Sequence, residues 1–405
     1  MQIKNSPAIV KRLWAQHFFE GCTPIMALYA IMFERVGGLS FQQIGTLFAI
    51  WSLSYLVVEL PSGVLADYWS RKHVIMAGGV LRTLGFITWI VWPTFTGYAL
   101  GFALWGATIA CTSGAAAAYL HNELRAIHKD KLYAKFFGWM MSSYSAGRLV
   151  GFILASILTL RHVNILIGLS AASSFMLTLS LLGAPEHPYK KQATYLKTLR
   201  AGVQEVVHFP KLRYICYGAF STFMIIGVLE ELLPRIYAQF GFNDTAVSLT
   251  LAFSVTLTIL LLTRLESLVH FSLPKQVLSM AAAVGLLLLG LWVGGIGGGV
   301  LILLFSLVFQ LFRALFIHHI QDVATGEERA TIGSIPGLGA GLLGAGAYWL
   351  MGRLSETRGE LQAIGVYGGF WLVALLALAY MGRKYRVIET SKADPLETLG
   401  PVPGS

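Results

Sequence analysis

Charged residues are scarce in this chain of 405 residues: aspartate, glutamate, lysine and arginine together make up 12% of it, whereas 56% is hydrophobic. A soluble globular domain is about 25% charged and about 45–50% apolar. The shortage of charge therefore excludes a large water-soluble enzyme. A membrane-spanning helix needs roughly 20 apolar residues, so twelve of them would use about 240 residues, which this chain can supply. The composition indicates a protein that crosses the bilayer many times.

Several motifs of other protein classes are missing. The three cysteines, Cys22, Cys111 and Cys216, lie apart inside apolar runs and form neither a C-x-x-C pair nor a disulfide framework. The G-x-x-x-x-G-K-[ST] loop of nucleotide-binding proteins and the G-x-S-x-G nucleophile elbow are absent. The adjacent histidines 318 and 319 have no third ligand at helical spacing. We therefore expect no enzyme activity, no metal site and no cofactor.

Twelve apolar runs of helical length follow one another along the chain. They cover approximately 12–34, 41–61, 74–93, 97–121, 136–160, 163–184, 212–238, 246–265, 275–294, 299–321, 331–352 and 362–382. The longest polar interruption divides them into two sets of six. We predict an all-α membrane protein with an N-terminal six-helix bundle at 1–184, a cytoplasmic linker at 185–211, a C-terminal bundle at 212–386 and a disordered tail at 387–405.

The basic residues give the orientation. With the N-terminus inside, 21 of the 30 lysines and arginines fall in cytoplasmic segments and 5 in external ones, which favours both termini in the cytoplasm. The formal net charge of +10 comes from these short segments, without a long basic stripe or a nucleic-acid motif. The expected surroundings are therefore a lipid bilayer, and no nucleic acid is expected to bind.

The segment between the second and third runs carries the most specific motif, Gly63-Val-Leu-Ala-Asp67-Tyr-Trp-Ser-Arg71-Lys72. Gly63 permits close helix approach, and Asp67 can lie against a helix N-terminus. The segment resembles the loop signature of the major facilitator superfamily, in which an aspartate follows the glycine by four residues and precedes a basic pair. The resemblance implies that the loop latches the two halves in the outward-facing state, with Asp67 near the start of helix 11. The alternative is an ordinary positive-inside loop.

The resemblance extends over the whole chain. It implies two bundles that work by alternating access around a central cavity lined by helices 1, 4, 7 and 10, in a protein that is usually monomeric. Two departures from the proton-antiporter patterns stand out. Helix 4 has no basic residue before His121, and Phe152 stands where the drug-antiporter pattern has proline after the glycine at 151. The overall resemblance is to bacterial exporters of about this length, which implies a location in the bacterial inner membrane.

Polar and ionisable residues inside the predicted helices identify candidates for the cavity. Each charge costs roughly 2.5–3.5 kcal/mol at the centre of a spanning helix, so it normally has a partner or faces water. Only one of two adjacent helical residues is expected to point into the cavity, because neighbours differ by about 100°. The candidates are His17, Glu20, Arg148, Glu230, Glu231, Gln310, Arg313 and His318.

Glu20 is the first candidate for a protonation site. Arg313 lies at similar depth on the opposing half, where it could be the counter-cation of Glu20 or bind a substrate carboxylate bidentately. A structural ion pair, for instance Glu20 with Arg148, is the alternative. Glu59 and Arg82 lie at similar depth in helices 2 and 3, and we predict that they form a structural ion pair.

The leading functional hypothesis is a secondary active transporter that exports a small organic solute, such as a drug-like compound, a siderophore or another metabolite. Since no nucleotide site is visible, the proton gradient is the expected energy source. Two alternatives stay open: a proton symporter that imports an anionic metabolite, with Arg313 as the anion clamp, and a receptor of transporter origin that no longer moves solute. The expensive cavity charges argue against the receptor.

Overall fold

The computed structural model describes residues 7–187, 195–262, 272–323 and 329–384, and all regular elements within these ranges are helices. The α-helices are α1 (Ala8–Gly21), α2 (Tyr29–Arg35), α3 (Phe41–Tyr68), α4 (Arg71–Val91), α5 (Phe95–Ala126), α6 (Tyr133–Leu158), α7 (Val163–Ser180), α8 (Tyr195–His208), α9 (Pro210–Glu230), α10 (Leu233–Gln239), α11 (Asp244–Leu262), α12 (Leu273–Val293), α13 (Gly295–Val323), α14 (Arg329–Arg358) and α15 (Glu360–Lys384).

Ten helices within the described ranges are long and apolar enough to cross a membrane. This confirms the prediction of an all-α membrane protein. The count of twelve spans, the domain boundaries and the cytoplasmic location of the termini stay predictions. The tail at 387–405 lies outside the described residues, and so does the part of the linker at 188–194.

The first predicted span is not one continuous helix. A 3-10 turn at Pro24–Ala27 separates α1 from α2, and a proline removes one backbone donor from any helix that would run through it. Arg82 of α4 binds the broken segment: Nη1 donates to the Glu20 carbonyl oxygen at 2.9 Å, and Nη2 donates to Thr23 Oγ1 at 2.6 Å. A side chain thus satisfies carbonyl and hydroxyl groups that the break leaves without helical partners.

The predicted seventh span is broken in the same way. Glu231 and Leu232 form a turn between α9 and α10, and Pro234 lies in the first turn of α10. Proline is accepted in a first helical turn because its missing N–H would have no intrahelical partner there. The turn places Glu230 and Glu231 at the end of α9.

We call residues 7–187 the first half and residues 210–384 the second half. Within the first half, α1 packs on α6 and α7, while α4 packs on α5 and α7; within the second half, α9 packs on α13 and α14, while α12 packs on α13 and α15. Between the halves, α3 packs on α14 and α6 packs on α11. The α3–α14 contact is close: a Cβ atom added at Gly45 would lie 2.6 Å from the Tyr348 carbonyl oxygen.

Ion pairs join the halves at the end where α2 turns into α3 and α10 into α11. Arg35 Nη1 lies 3.0 Å from Asp244 Oδ1, and Arg235 Nη1 lies 3.0 Å from Glu34 Oε2. Arg235 is buried and also pairs with Glu360 in its own half. We call Glu34, Arg35, Arg235, Asp244 and Glu360 the outer clasp, because the predicted topology places this end outside the cell.

The loop motif is tied to its own half at the opposite end. Glu186, just after α7, accepts hydrogen bonds from Ser70 Oγ at 2.6 and 2.8 Å, and Lys72 Nζ donates to the Ala184 carbonyl at 3.1 Å. Arg71, which begins α4, is buried. The Asp67 side chain and the start of α14 lie outside the described side chains, so the latch between them stays a prediction.

The prediction for Gly63 needs correction. A Cβ atom added there would meet no atom within 4 Å among the described residues. Gly63 therefore mediates no close contact with any helix in the part of the chain that the structure describes.

Candidate functional site

A cavity of about 600 Å³ lies between the two halves, a volume within the range of small-molecule sites. Its walls come from α1, α3, α4, α5 and α6 of the first half and from α9, α13 and α14 of the second. The predicted candidates His17, Glu20, Arg148, Glu230, Glu231 and Arg313 all belong to the wall, and so does Arg82.

Gln310 and His318 are not part of the wall. Gln310 acts from behind it, since its Nε2 donates to Glu230 Oε2 at 3.3 Å. His318 follows Arg313 by five residues, which turns it by about 140° around the helix axis and away from the cavity. Its neighbour His319 contacts Gln276 of α12 at 3.0 Å. Among the described residues, no group of three histidine, cysteine or acidic side chains is placed to hold a metal ion.

Arg148 and Glu230 form an ion pair inside the cavity. Arg148 Nη2 of α6 donates to Glu230 Oε1 of α9 at 2.6 Å, and the two side chains are 19% and 21% exposed. The guanidinium also lies 5.3 Å from the ring centroid of Phe152. This pair connects the first half to the second, whereas the structural alternative predicted from the sequence pairs Arg148 with Glu20.

Glu231 also lines the cavity, which corrects the expectation that only one of the two adjacent glutamates does. The physical reason is the width of the cavity along α9: the consecutive residues Ile226, Gly227 and Val228 also line it, so two side chains about 100° apart can both reach it. Among the residues that the structure describes, the Glu231 carboxylate has neither a hydrogen bond nor an ion pair. Glu230 is thus neutralised by a partner in the other half, whereas Glu231 faces the cavity without a counter-charge.

Arg313 is a cation of the cavity wall that, like Glu231, has no ion pair among the described residues. Its guanidinium carbon lies 5.2 Å from the centroid of the Phe223 ring on α9, a cation–π contact. Within the described ranges, no acceptor lies at hydrogen-bond distance from the guanidinium. Arg313 therefore presents a fork of donors at the cavity wall.

The predicted pair of Glu59 and Arg82 does not form. Glu59 accepts hydrogen bonds of 3.1 and 3.2 Å from Ser113 Oγ of α5, whereas Arg82 binds the break between α1 and α2. The two side chains face different neighbours around their helices. The Glu20 carboxylate accepts a hydrogen bond of 2.9 Å from Gln16 Nε2.

Sequence reasoning missed the aromatic part of the site. Tyr348 of α14 lines the cavity and its hydroxyl donates to the Gly227 carbonyl at 2.9 Å, which joins α14 to α9. In apolar runs an aromatic residue of a cavity wall has the same pattern as one of the core, so no sequence signal could separate them. The other aromatic residues of the wall are Trp51, Tyr55, Trp105, Phe137, Tyr144 and Phe223.

Comparisons with known proteins cover most of the chain. The family model described as Major Facilitator Superfamily matches residues 18–348. The chain is 24% identical over 358 residues to the multidrug resistance protein MdtH of Klebsiella pneumoniae (strain 342), covering 86% of this chain and 82% of that protein. It is 25% identical over 367 residues to MdtH of Enterobacter sp. (strain 638), with the same coverage of 86% and 82%.

Solved structures share the fold. A mutant of the nucleoside transporter NupG superposes with a TM-score of 0.75 at 17% sequence identity, covering 92% of this chain and 99% of that one. A D-xylose-proton symporter superposes with a TM-score of 0.70 at 13% identity, covering 92% of this chain and 95% of that one. At such low identity the likeness concerns the arrangement of the helices and says nothing about the solute.

Proposed function

The chain belongs to the Major Facilitator Superfamily, and we propose that it is a proton-driven exporter that moves a small organic solute across the bacterial inner membrane by alternating access. The observation that carries this proposal is the Arg148–Glu230 ion pair, which crosses from one half to the other inside the cavity. A charge pair in this position links the protonation of one side chain to the relative position of the two halves.

The coupling follows from the energetics of a buried ion pair. While Glu230 is ionised, its attraction for Arg148 links α9 to α6 across the cavity. A proton on Glu230 removes that attraction and leaves Arg148 as an uncompensated cation, which favours a conformation in which water reaches it. Protonation thereby changes the balance between two states of the transporter. Glu230 replaces Glu20 as the leading candidate for the coupling residue, because Glu20 has no ion pair to the second half among the described residues.

We propose that the cavity opens toward the cytoplasm. The outer clasp closes the end predicted to face outward, with two ion pairs between the halves. The cavity wall includes Phe137 and Met141, one and two turns into α6 from the predicted cytoplasmic end. This distribution supports an inward-facing state, which is the state in which an exporter collects its solute.

Export is supported by two further observations. The relatives of similar length are named multidrug resistance proteins. The wall combines the aromatic residues with Met26, Met140 and Met141, and methionine side chains adapt to ligands of different shape. An importer of an anionic solute is the second candidate, since no described residue accepts a hydrogen bond from the Arg313 guanidinium.

The test is proton-coupled flux in inside-out membrane vesicles, with the protein expressed in a bacterial host that lacks its own major drug exporters. The vesicle interior is acidified, and a panel of organic compounds is added one at a time while lumenal pH is followed with a fluorescent dye. We expect at least one compound to enter the vesicles and to make the lumen less acidic. Vesicles with Glu230→Gln protein provide the matched control. If no compound gives a response above that of vesicles without the protein, the proposed export is wrong.

A further inference from the structure

The cavity wall holds one carboxyl group, that of Glu231, and one guanidinium, that of Arg313, for which the described part of the chain provides neither a hydrogen bond nor an ion pair. This observation deepens the proposed function, on which it rests. We propose that the transported solute is a zwitterion whose ammonium and carboxylate groups lie at opposite ends of an aromatic body. Glu231 would bind the ammonium group, and Arg313 would bind the carboxylate.

The other charged residues of the wall are already engaged. Arg148 is paired with Glu230. Arg82 donates hydrogen bonds to the Glu20 carbonyl and to Thr23, and the Glu20 carboxylate accepts one from Gln16. Glu231 and Arg313 are left, and isolated charges in a membrane interior are expensive unless a partner arrives. A solute that brings the two missing counter-charges would remove both costs at once.

The positions of the two residues define how far apart the charges of the solute must be. The Arg313 guanidinium lies over Phe223, and Glu231 follows Phe223 by eight residues, which is about 12 Å along a helix. On α13, Arg313 lies three residues, about 4.5 Å, beyond Gln310, whose side chain reaches Glu230. The helical rise thus offsets the backbone positions of the two residues by roughly 5–12 Å along the cavity. An α-amino acid carries its ammonium and carboxylate groups on the same carbon atom, so it is too short to engage both side chains across the longer offset.

The wall between the two charges is suited to an aromatic body. Tyr348, Phe223 and Gly227 lie on this side of the cavity, and the Tyr348 hydroxyl is held by the Gly227 carbonyl. Aromatic rings offer broad contact area with few rotatable bonds, so binding fixes little side-chain freedom. The geometric requirement is a rigid apolar spacer with opposite charges at its ends.

The experiment uses one scaffold in four charge forms. The scaffold is a biphenyl with an aminomethyl group at one end and a carboxylate at the other. The other forms are its methyl ester, which keeps only the cation, its N-acetyl derivative, which keeps only the anion, and the neutral compound with both modifications. Dissociation constants are measured by calorimetry on the purified full chain in detergent. Biphenylalanine, in which the two charges are adjacent, is the control for charge separation.

For the wild-type protein we expect the zwitterion to bind about tenfold more tightly than either singly charged form, and the neutral form to bind most weakly. Biphenylalanine should lack this advantage. With Glu231→Gln the zwitterion should bind no better than the N-acetyl form, and with Arg313→Gln no better than the methyl ester. Glu59→Gln and Arg353→Gln, which change charges outside the cavity wall, should keep the wild-type order.

Equal binding of all four forms, preference for a singly charged form, or no binding of the zwitterion would overturn the proposal. The four wild-type measurements decide it even if a variant fails to fold. Failure here is distinct from failure of the proposed function, because binding needs no proton gradient. If the zwitterion is preferred but no compound gives flux in the vesicles, the proposed export is wrong and the proposed solute class stands. If a compound gives flux but the four forms bind equally, the proposed solute class is wrong and the proposed export stands.

Discussion

Arg148 of α6 and Glu230 of α9 lie 2.6 Å apart, nitrogen to oxygen, within the cavity between the two halves of the chain. Both side chains are mostly buried, and Gln310 supports the carboxylate from behind. An ion pair in such a place contributes little net stability, but losing one partner leaves a buried charge uncompensated. This asymmetry allows the pair to be tested separately for its structural and its transport roles.

Replacing only the acid, as Glu230→Gln, should lower the free energy of unfolding by about 3–5 kcal/mol, because Arg148 is left without its counter-charge. Replacing both partners, as Arg148→Met with Glu230→Leu, should restore most of that stability while proton-driven flux stays lost. Denaturant unfolding in detergent gives the first quantity and the vesicle assay the second. Arg353→Gln removes an exposed ion pair with Glu356 and should change stability by less than about 1 kcal/mol. Recovery of flux in the double variant would contradict a coupling role for the pair.

The outer clasp should hold the inward-facing state. Arg235 is 2% exposed and binds Glu34 across the halves, so Arg235→Gln weakens the closed end and shifts the population toward the outward-facing state. Spin labels at Val36→Cys and Asn243→Cys, in a chain without its native cysteines, measure the opening between the halves.

We expect a longer distance distribution between these labels in Arg235→Gln than in the unsubstituted background. The matched control is Arg161→Gln, an exposed arginine near the same end that is not part of the clasp. An unchanged distribution in Arg235→Gln would show that the clasp does not determine which state is populated.

The crossing of α1 and α6 depends on a glycine. A Cβ atom at Gly147 would lie 2.1 Å from the Phe18 carbonyl oxygen, whereas a Cβ at Gly138 of the same helix would meet nothing within 4 Å among the described residues. Gly147→Ala must therefore separate the two backbones, and we expect it to reduce the yield of folded protein severalfold. Gly138→Ala should be neutral or slightly stabilising, since alanine favours a helix by up to about 1 kcal/mol over glycine. Size-exclusion profiles of the two variants compare them directly, and equal profiles would rule out the tight crossing.

Glu59 and Arg82 should be energetically independent, because their side chains have different partners. In a double-mutant cycle with Glu59→Gln and Arg82→Gln, we expect the effects on unfolding free energy to add within about 0.5 kcal/mol. Arg82→Gln should be the more damaging substitution, since it releases the break between α1 and α2. An interaction free energy above 1 kcal/mol would instead support the direct ion pair that the sequence predicts.

The sequence predicts the fold class well because hydropathy and length suffice to identify a spanning helix. The sequence also predicts that Glu20, Arg148, Glu230 and Arg313 line one cavity, because a charged side chain avoids lipid at any position along a spanning helix. Partner choice is a different matter. The depth of a residue in the membrane can be predicted from its position along the helix, but the neighbour that its side chain meets depends on how the helices pack. For this reason the sequence did not predict that Arg148 pairs with Glu230 or that Arg82 binds the break between α1 and α2.

The helix breaks explain the remaining differences. Pro24 and Pro234 are visible in the sequence, yet a proline inside an apolar run is compatible with a kinked helix as well as with a break. The distinction matters for Arg82, whose guanidinium binds the break between α1 and α2 and does not pair with Glu59. The aromatic residues of the cavity wall could not be predicted either, because aromatic residues of a cavity and of a core have the same apolar sequence pattern.

The most direct test of the central claim, that Glu230 carries the coupling proton, compares two fluxes in proteoliposomes containing wild-type or Glu230→Gln protein. The first is accumulation of a labelled compound, taken from the vesicle assay, under an imposed pH gradient. The second is exchange of labelled for unlabelled compound without a gradient. Because glutamine imitates the protonated acid, we expect Glu230→Gln to keep exchange and to lose gradient-driven accumulation. Accumulation at the wild-type level in Glu230→Gln would contradict the claim and place the coupling proton elsewhere in the cavity.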